Sequence, residues 1–184
     1  MIPRLYLPTP LALGTTLDLD RPMQRYVARV LRLRAGDAVI LFNGEGGSFR
    51  AEIRRMGPPL QVEIVHHDTT CRESPLTITL VQGVTKQSAM EIIVQKGVEL
   101  GVNTIQPLVV QRSVSRPRKG RDGPLKRWQR IAVEAAEQCG RDRVPNIAPP
   151  CGWEELAQRL PAGPRLLFWE EQTDARPSLS AESI

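Results

Sequence analysis

A chain of 184 residues with 41% apolar side chains can hold one ordinary domain or two small ones and carries enough hydrophobic material for a real core. Its 25 Lys and Arg against 20 Asp and Glu leave a net charge of +5, whose placement says more than its total. Pro3, Arg4, Pro8, Pro10, Asp18 and Asp20 interrupt the first twenty positions, which excludes a signal peptide or membrane span there and makes the cytoplasm the expected location.

The first seventy residues have the punctuation of a small β-rich module. A short helix is expected first, with Met23, Val27, Val30 and Leu31 on the core face and Arg25, Arg29 and Arg32 on faces open to solvent or RNA. Strands follow over 39–42, 49–53 and 61–65. The glycine-rich stretch Asn43–Ser48 joins two of them; it has no following helix and no Gly-Lys-Ser/Thr ending, so it reads as a hairpin loop, not a phosphate cradle. His66 and His67, the only histidines, sit at a strand end and read as solvated.

Cys71 to Pro75 is a polar stretch closed by a proline, and the boundary between two domains is placed there. Beyond it the pattern changes. Leu76 to Val81 is a nearly continuous β-branched run, suited to a strand covered on both faces. A helix over 88–100 follows, with Met90, Ile93, Val94, Gly97 and Val98 as its apolar stripe and Glu91, Gln95 and Glu99 four residues apart beside it. Gly101 supplies the left-handed stop. A strand over 105–111, a helix over 124–139 and a strand over 165–169 complete an alternation that predicts α/β architecture: a parallel sheet with helices on its faces. The second helix has Trp128, Ile131, Ala132, Ala135 and Cys139 as its stripe, Gly140 as its cap, and Arg141 and Arg143 just beyond.

From Arg112 to Arg143 ten Lys or Arg stand against four acids, a local +6. Such a concentration suits a phosphate backbone, with a merely solvated loop as the alternative. Arg141 and Arg143 likewise suit either a substrate or simple compensation of a helix dipole. No metal-ligand spacing exists, and no Ser-His-Asp or Cys-His triad can be assembled. Cys71, Cys139 and Cys151 are widely spaced and odd in number, which argues for reduced structural thiols. There is no G-x-G-x-x-G after a strand and no Walker loop. Ligands of open α/β sheets lie beyond the carboxyl ends of strands, here near Arg112 and near Trp169-Glu170-Glu171.

Lys86, Met90-Glu91, Gln95-Lys96, Glu99-Leu100-Gly101 and Pro107, with Ala135 to Arg141 and Val144-Pro145, together resemble the bacterial small-subunit (16S) ribosomal RNA uridine N-3 methyltransferases. Pro3-Arg4-Leu5-Tyr6, Val30-Leu31-Arg32 and Gly36-Asp37 extend the resemblance over essentially the whole chain. It implies a PUA-like β-barrel for RNA over residues 1–72 and a SPOUT methyltransferase domain over 73–184, acting as a homodimer with S-adenosylmethionine held in a C-terminal trefoil knot. The implied reaction is methylation of a uridine ring nitrogen in 16S ribosomal RNA, with no metal and no membrane. Arg4, Arg32, Arg112, Arg141 and Arg143 are then the expected RNA contacts. Lys86, Glu91, Gln95, Lys96, Glu99 and Gln138 are expected to brace the site or the dimer. Leu167, Phe168, Trp169 and Glu170 are expected either to border the adenosine or to be plain core. No residue is assigned as the proton acceptor.

Two departures from the family pattern stand out. Tyr26 replaces a frequent histidine, and the chain stops at Ile184 before the family's Gly-Pro-Glu-Gly-Gly loop, last strand and last helix. The expectation is therefore a SPOUT domain lacking its knot segment. An RNA-binding fragment without methyltransferase activity is the alternative, and a structural dimerisation fragment a third.

Overall fold

The computed structural model describes residues 2–71, 73–111, 113, 123–160 and 163–168. Five strands form the first sheet: β1 (Arg4–Tyr6), β2 (Thr16–Leu19), β3 (Ala38–Phe42), β4 (Ser48–Arg55) and β5 (Leu60–Asp68), in the order β1-β3-β4-β5-β2. β3, β4 and β5 were legible from their alternation. β1 and β2, at three and four residues, are too short to carry a period. β1 runs parallel to β3, and the other neighbours are antiparallel. The sheet curls around Leu5, Val39, Leu41, Ala51, Ile53, Leu60, Val62 and Ile64, all at most 1% exposed. The glycine-rich stretch is indeed the turn between β3 and β4.

The early helix is shorter and stranger than its pattern suggested. α1 (Arg21–Arg25) is capped by the Asp20 carboxylate, which accepts the Met23 N–H at 2.8 Å. It passes directly into a π-helical turn (Tyr26–Val30), closed by the Leu31 N–H donating to the Tyr26 carbonyl at 3.0 Å. The wider turn shifts the side chains out of α register. Val27 remains fully buried, while Val30, expected on the core face, is 64% exposed.

The second sheet is three parallel strands in sequential order: β6 (Thr79–Gly83), β7 (Thr104–Leu108) and β8 (Asn146–Ile147). α2 (Gln87–Glu99) and α3 (Pro124–Cys139) are the crossovers, and α4 (Trp153–Arg159) follows β8. Met90, Val94, Val98, Trp128, Ala132 and Ala136 pack with Ile105 and Ile147 on one side of the sheet. Leu108, Cys151 and Leu156 cluster on the other, with Val81 against them. Because neighbouring strand residues alternate faces, Ile105 and Leu108 point oppositely, which places helices on both sides of the sheet. Gly97 permits the close packing of α2: an added Cβ would lie 3.3 Å from Ile105 Cδ1.

Several expectations need correction. β6 begins at Thr79, not at Leu76, and is only partly covered because it is an edge strand; Leu76 and Ile78 are 43% and 41% exposed. The α3 stripe runs through Ala136, and Cys139 is exposed, as is Cys71; only Cys151 is a buried structural thiol. The strand expected over 165–169 does not form over 165–168, where no sheet neighbour pairs with it among the described residues. Trp169 lies outside the described residues. His67 is not simply solvated: its ring stacks on Phe49 with centroids 4.1 Å apart.

Candidate functional site

The two sheets meet at β1 and the end of α3, where charge dominates. Arg4 projects from β1 and donates to Asp142 Oδ1 at 2.6 Å and to the Arg141 carbonyl at 3.0 Å, with its guanidinium 4.9 Å from the Phe42 ring centroid. The Arg4 and Asp142 side chains are only 16% and 2% exposed. Beside this pair Arg141 Nη1 donates to Glu73 Oε2 at 2.5 Å, Arg141 Nε donates to the Glu99 carbonyl, and the Asp142 N–H donates to Glu73 Oε1. Glu73 follows the first sheet in sequence, Glu99 ends α2, and Arg141-Asp142 follow α3, so three segments of the second module and β1 of the first converge on one knot of charge. Gly140 places Arg141 by ending α3 in a left-handed conformation, at φ 83°. Gly101, at φ +85°, leaves room for the Arg141 guanidinium: a Cβ there would lie 2.7 Å from Nη2.

Glu137 joins the same contact from α3 by accepting the Tyr6 N–H at 2.9 Å. Burial pushes its carboxyl above the ordinary glutamate range, opposed by the Tyr6 hydrogen bond and assisted by neighbouring Glu134. Tyr26, on the π-helical turn, has its phenol pushed up first by burial and then by the charges of Glu137 and Glu134. The position where Tyr26 replaces a frequent histidine thus lies within the electrostatic influence of carboxylates on α3.

A second set of residues decorates α2 and α3. The Arg127 guanidinium grips Glu91 across the two helices, with Nε 2.6 Å from Oε1 and Nη2 donating to Oε2 at 3.0 Å. Hydrogen bonding to Arg127 holds Glu91 below the ordinary carboxylate range and Arg127 above its own. Lys96 pairs with Glu99 one turn away at 2.7 Å. Lys86 occupies the N-cap position of α2, exposed and without a side-chain capping bond, three residues past the end of β6, and Gln95 and Gln138 are exposed on their helices. At the carboxyl ends of the strands the Val84 N–H donates to the Leu108 carbonyl and the Val110 N–H to Ser113 Oγ. Gln106, buried on β7, donates to the Pro149 carbonyl at 3.0 Å and ties the β8–α4 connection to the sheet.

The predicted RNA contacts therefore separate. Arg4 and Arg141 are committed to carboxylates in the joint, whereas Arg32 and Arg143 are exposed. Arg143 lies against the β3–β4 turn, 3.8 Å from a Cβ built on Gly46. Arg112 lies outside the described residues. Of the expected cofactor contacts, Leu167 and Phe168 are 87% and 89% exposed, and Trp169 and Glu170 lie outside the described residues. Arg25, Arg29 and Arg32 were expected on faces open to solvent or RNA, but their continuity with Arg21 and Arg34 was not recognised: five cations in fourteen residues without a single acid. Regional sums hid it, because the acids of the remaining chain cancel it in any total. Among the described residues no group of acidic, histidine or cysteine side chains could hold a metal, and no helix is long and apolar enough to cross a membrane.

A curled β-module is joined to a parallel α/β sheet, with exposed arginines on the former. Residues 19–65 match the model of an RNA methyltransferase PUA domain, and residues 72–183 match that of the RNA methyltransferase domain. The chain belongs to this RNA methyltransferase family, in keeping with the resemblance carried by Lys86 to Pro107 and Ala135 to Pro145. It is 35% identical to a Synechocystis ribosomal RNA small subunit methyltransferase E over 83% of its own length and 48% of that protein. To the protein of the same name from Buchnera aphidicola of Acyrthosiphon pisum it is 32% identical, over 81% of this chain and 60% of that one. The crystal structure of the Neisseria gonorrhoeae protein of that name, bound to S-adenosyl methionine, superposes with a TM-score of 0.80 at 39% identity, covering 88% of this chain and 67% of that one. The chain thus spans about half to two thirds of the length of these relatives.

Proposed function

We propose that this protein transfers a methyl group from S-adenosylmethionine to the N-3 nitrogen of a uridine in 16S ribosomal RNA, and that it does so as a homodimer. The observation that carries the reading is the parallel β6–β7–β8 sheet with its crossover helices, joined to a PUA-type module in an arrangement shared with a relative that binds the same cofactor. S-adenosylmethionine supplies an electrophilic methyl carbon on a sulfonium. The chain's own part is to hold the base, to keep water away and to accept the ring proton as the nitrogen attacks. Leu166, Leu167 and Phe168, at 51%, 87% and 89% exposure, offer apolar surface of the kind an adenine ring covers.

RNA is held in this reading by Arg32, by Arg143 and by the basic segment that begins at Arg112. Arg4 and Arg141 act behind them, fixing the angle at which the RNA-binding module meets the transfer site. Lys86 stands at the carboxyl end of β6, where ligands of such sheets bind, and its ammonium favours a phosphate neighbour. The Glu91–Arg127 fork keeps α2 and α3 in register behind that rim. Calorimetric titration of protein of verified intact mass with S-adenosylmethionine tests the cofactor half of the proposal. Saturable one-site binding is expected; absence of heat at millimolar ligand would refute it for that polypeptide.

A further inference from the structure

The arginines of that run in the first module form a geometric pattern. Four-residue steps along an α-helix drift by about 40° per step, so Arg21, Arg25 and Arg29 on a regular helix would wind away from one another. Here the second step crosses the π-helical turn Tyr26–Val30. A turn closed from residue i to i+5 takes more than four residues, so a four-residue step falls short of a full turn and the drift reverses. The π-helical turn thus brings Arg29 back towards the face of Arg21, and the α-helical step from Arg21 to Arg25 advances about 6 Å along the axis.

Two further observations point the same way. Arg21, Arg25, Arg29, Arg32 and Arg34 are all exposed, and none lies within ion-pair distance of a carboxylate among the described residues, whereas Arg4, Arg54, Arg127, Arg141 and Arg159 are all paired. The segment also ends in strain: Arg32 takes φ 55°, a conformation that favours glycine, and is held there while the Leu33 N–H donates to the Val27 carbonyl at 3.1 Å. A cation kept where glycine would be easier, at the end of a row of cations, is the mark of a binding surface.

We infer that the π-helical turn aligns Arg21, Arg25 and Arg29, with Arg32 at its end, as a ladder that tracks successive phosphates of one RNA strand without reading its bases. The inference rests on the reading of RNA as the substrate and adds to it the surface and the manner of recognition. It predicts affinity with little sequence preference and a steep dependence on salt.

The test is fluorescence anisotropy of the full chain with a labelled twelve-nucleotide single-stranded RNA across a series of salt concentrations. Each phosphate contact contributes about 0.7 to the slope of log affinity against log salt for a single strand, so Arg21→Gln/Arg25→Gln/Arg29→Gln should lower the slope by about 2 and weaken binding roughly 100-fold at 0.1 M salt. The triple Lys variant should restore both, and an unchanged circular dichroism spectrum excludes misfolding as the cause. Removing three other arginine charges, with Arg50→Gln/Arg55→Gln/Arg159→Gln, all exposed and outside the surfaces assigned to RNA, should have a much smaller effect. An unchanged slope in the first variant, or an equal loss in the control, overturns the ladder and leaves the methyltransferase reading standing. Tighter arginine-dependent binding to anionic phosphatidylserine vesicles than to RNA also overturns it. If the wild-type chain binds no RNA, the ladder and the choice of RNA as substrate fall together, while the cofactor titration still stands on its own.

Discussion

Replacing Asp142 by alanine removes the partner of a cation that has little water to turn to. Arg4 is 16% exposed and Asp142 2%, so the pair is close to the buried limit, where loss of one partner costs about 3–5 kcal/mol. Arg4 keeps its bond to the Arg141 carbonyl and its contact with Phe42, which reduces the expected loss to about 2–4 kcal/mol. For a chain of this size each kcal/mol shifts Tm by about 2–4 °C, so Asp142→Ala should melt roughly 5–15 °C below wild type. Arg4→Ala likewise strips its cation from a carboxylate that is 2% exposed at the carbonyl end of α3, and should cost a comparable amount. The discriminating quantity is the coupling in the Arg4→Ala/Asp142→Ala cycle, expected at about 1.5–3 kcal/mol for a charge-assisted bond in a dry joint. Denaturant unfolding of the four proteins measures it. Additivity within about 0.5 kcal/mol would show that the pair contributes nothing across the joint and would remove the reason to treat Arg4 as a positioning residue.

Other consequences are equally specific. Val27→Ala should cost about 2 kcal/mol because Val27 is fully buried, whereas Val30→Gln should change stability by less than about 0.5 kcal/mol; the reverse order in thermal melts would contradict the π-helical register. Gly140→Ala meets open space and should lose only the left-handed backbone preference, about 1–2 kcal/mol, while Gly101→Ala must also displace the Arg141 guanidinium and should lose more; equal losses in denaturant melts would argue against that contact. Glu137 has a folded-state pKa above its unfolded one, so the folded protein binds its proton more tightly, and stability should fall as pH rises from the ordinary glutamate pKa towards the raised value. Glu137→Gln, which can still accept the Tyr6 N–H, should flatten that part of the profile; an unchanged profile in pH-resolved melts would count against burial as the cause.

The parts of the fold that a sequence can announce are those with a period or an obligatory cap. α2 and α3 have thirteen and sixteen residues, apolar stripes and left-handed glycines at or just past their ends, so their positions could be read within a residue or two. β8 has two residues and depends on β7 for its existence, so nothing local marks it. The run at 165–168 shows the opposite failure: an apolar β-type segment forms no strand where, among the described residues, no neighbouring strand accepts its backbone bonds. Charge was read with less success than shape. Arg141 and Arg4 are basic and near a helix end or a strand, but their partners Glu73 and Asp142 are 68 and 138 residues away in sequence, and only tertiary contact shows that they are structural cations. The row at Arg21, Arg25 and Arg29 was visible as residues, yet its alignment depends on a π-helical turn that no propensity scale foretells.

The central claim is that this protein methylates a uridine of the small-subunit RNA at ring nitrogen N-3. Its most direct test is to incubate purified protein with unmodified small ribosomal subunits and methyl-labelled S-adenosylmethionine, digest the 16S RNA to nucleosides and separate them by chromatography with mass detection. The account predicts a single labelled nucleoside that co-elutes with N3-methyluridine. Label on C5-methyluridine or on a ribose-methylated nucleoside, or RNA left unlabelled by protein that binds the cofactor, would contradict it.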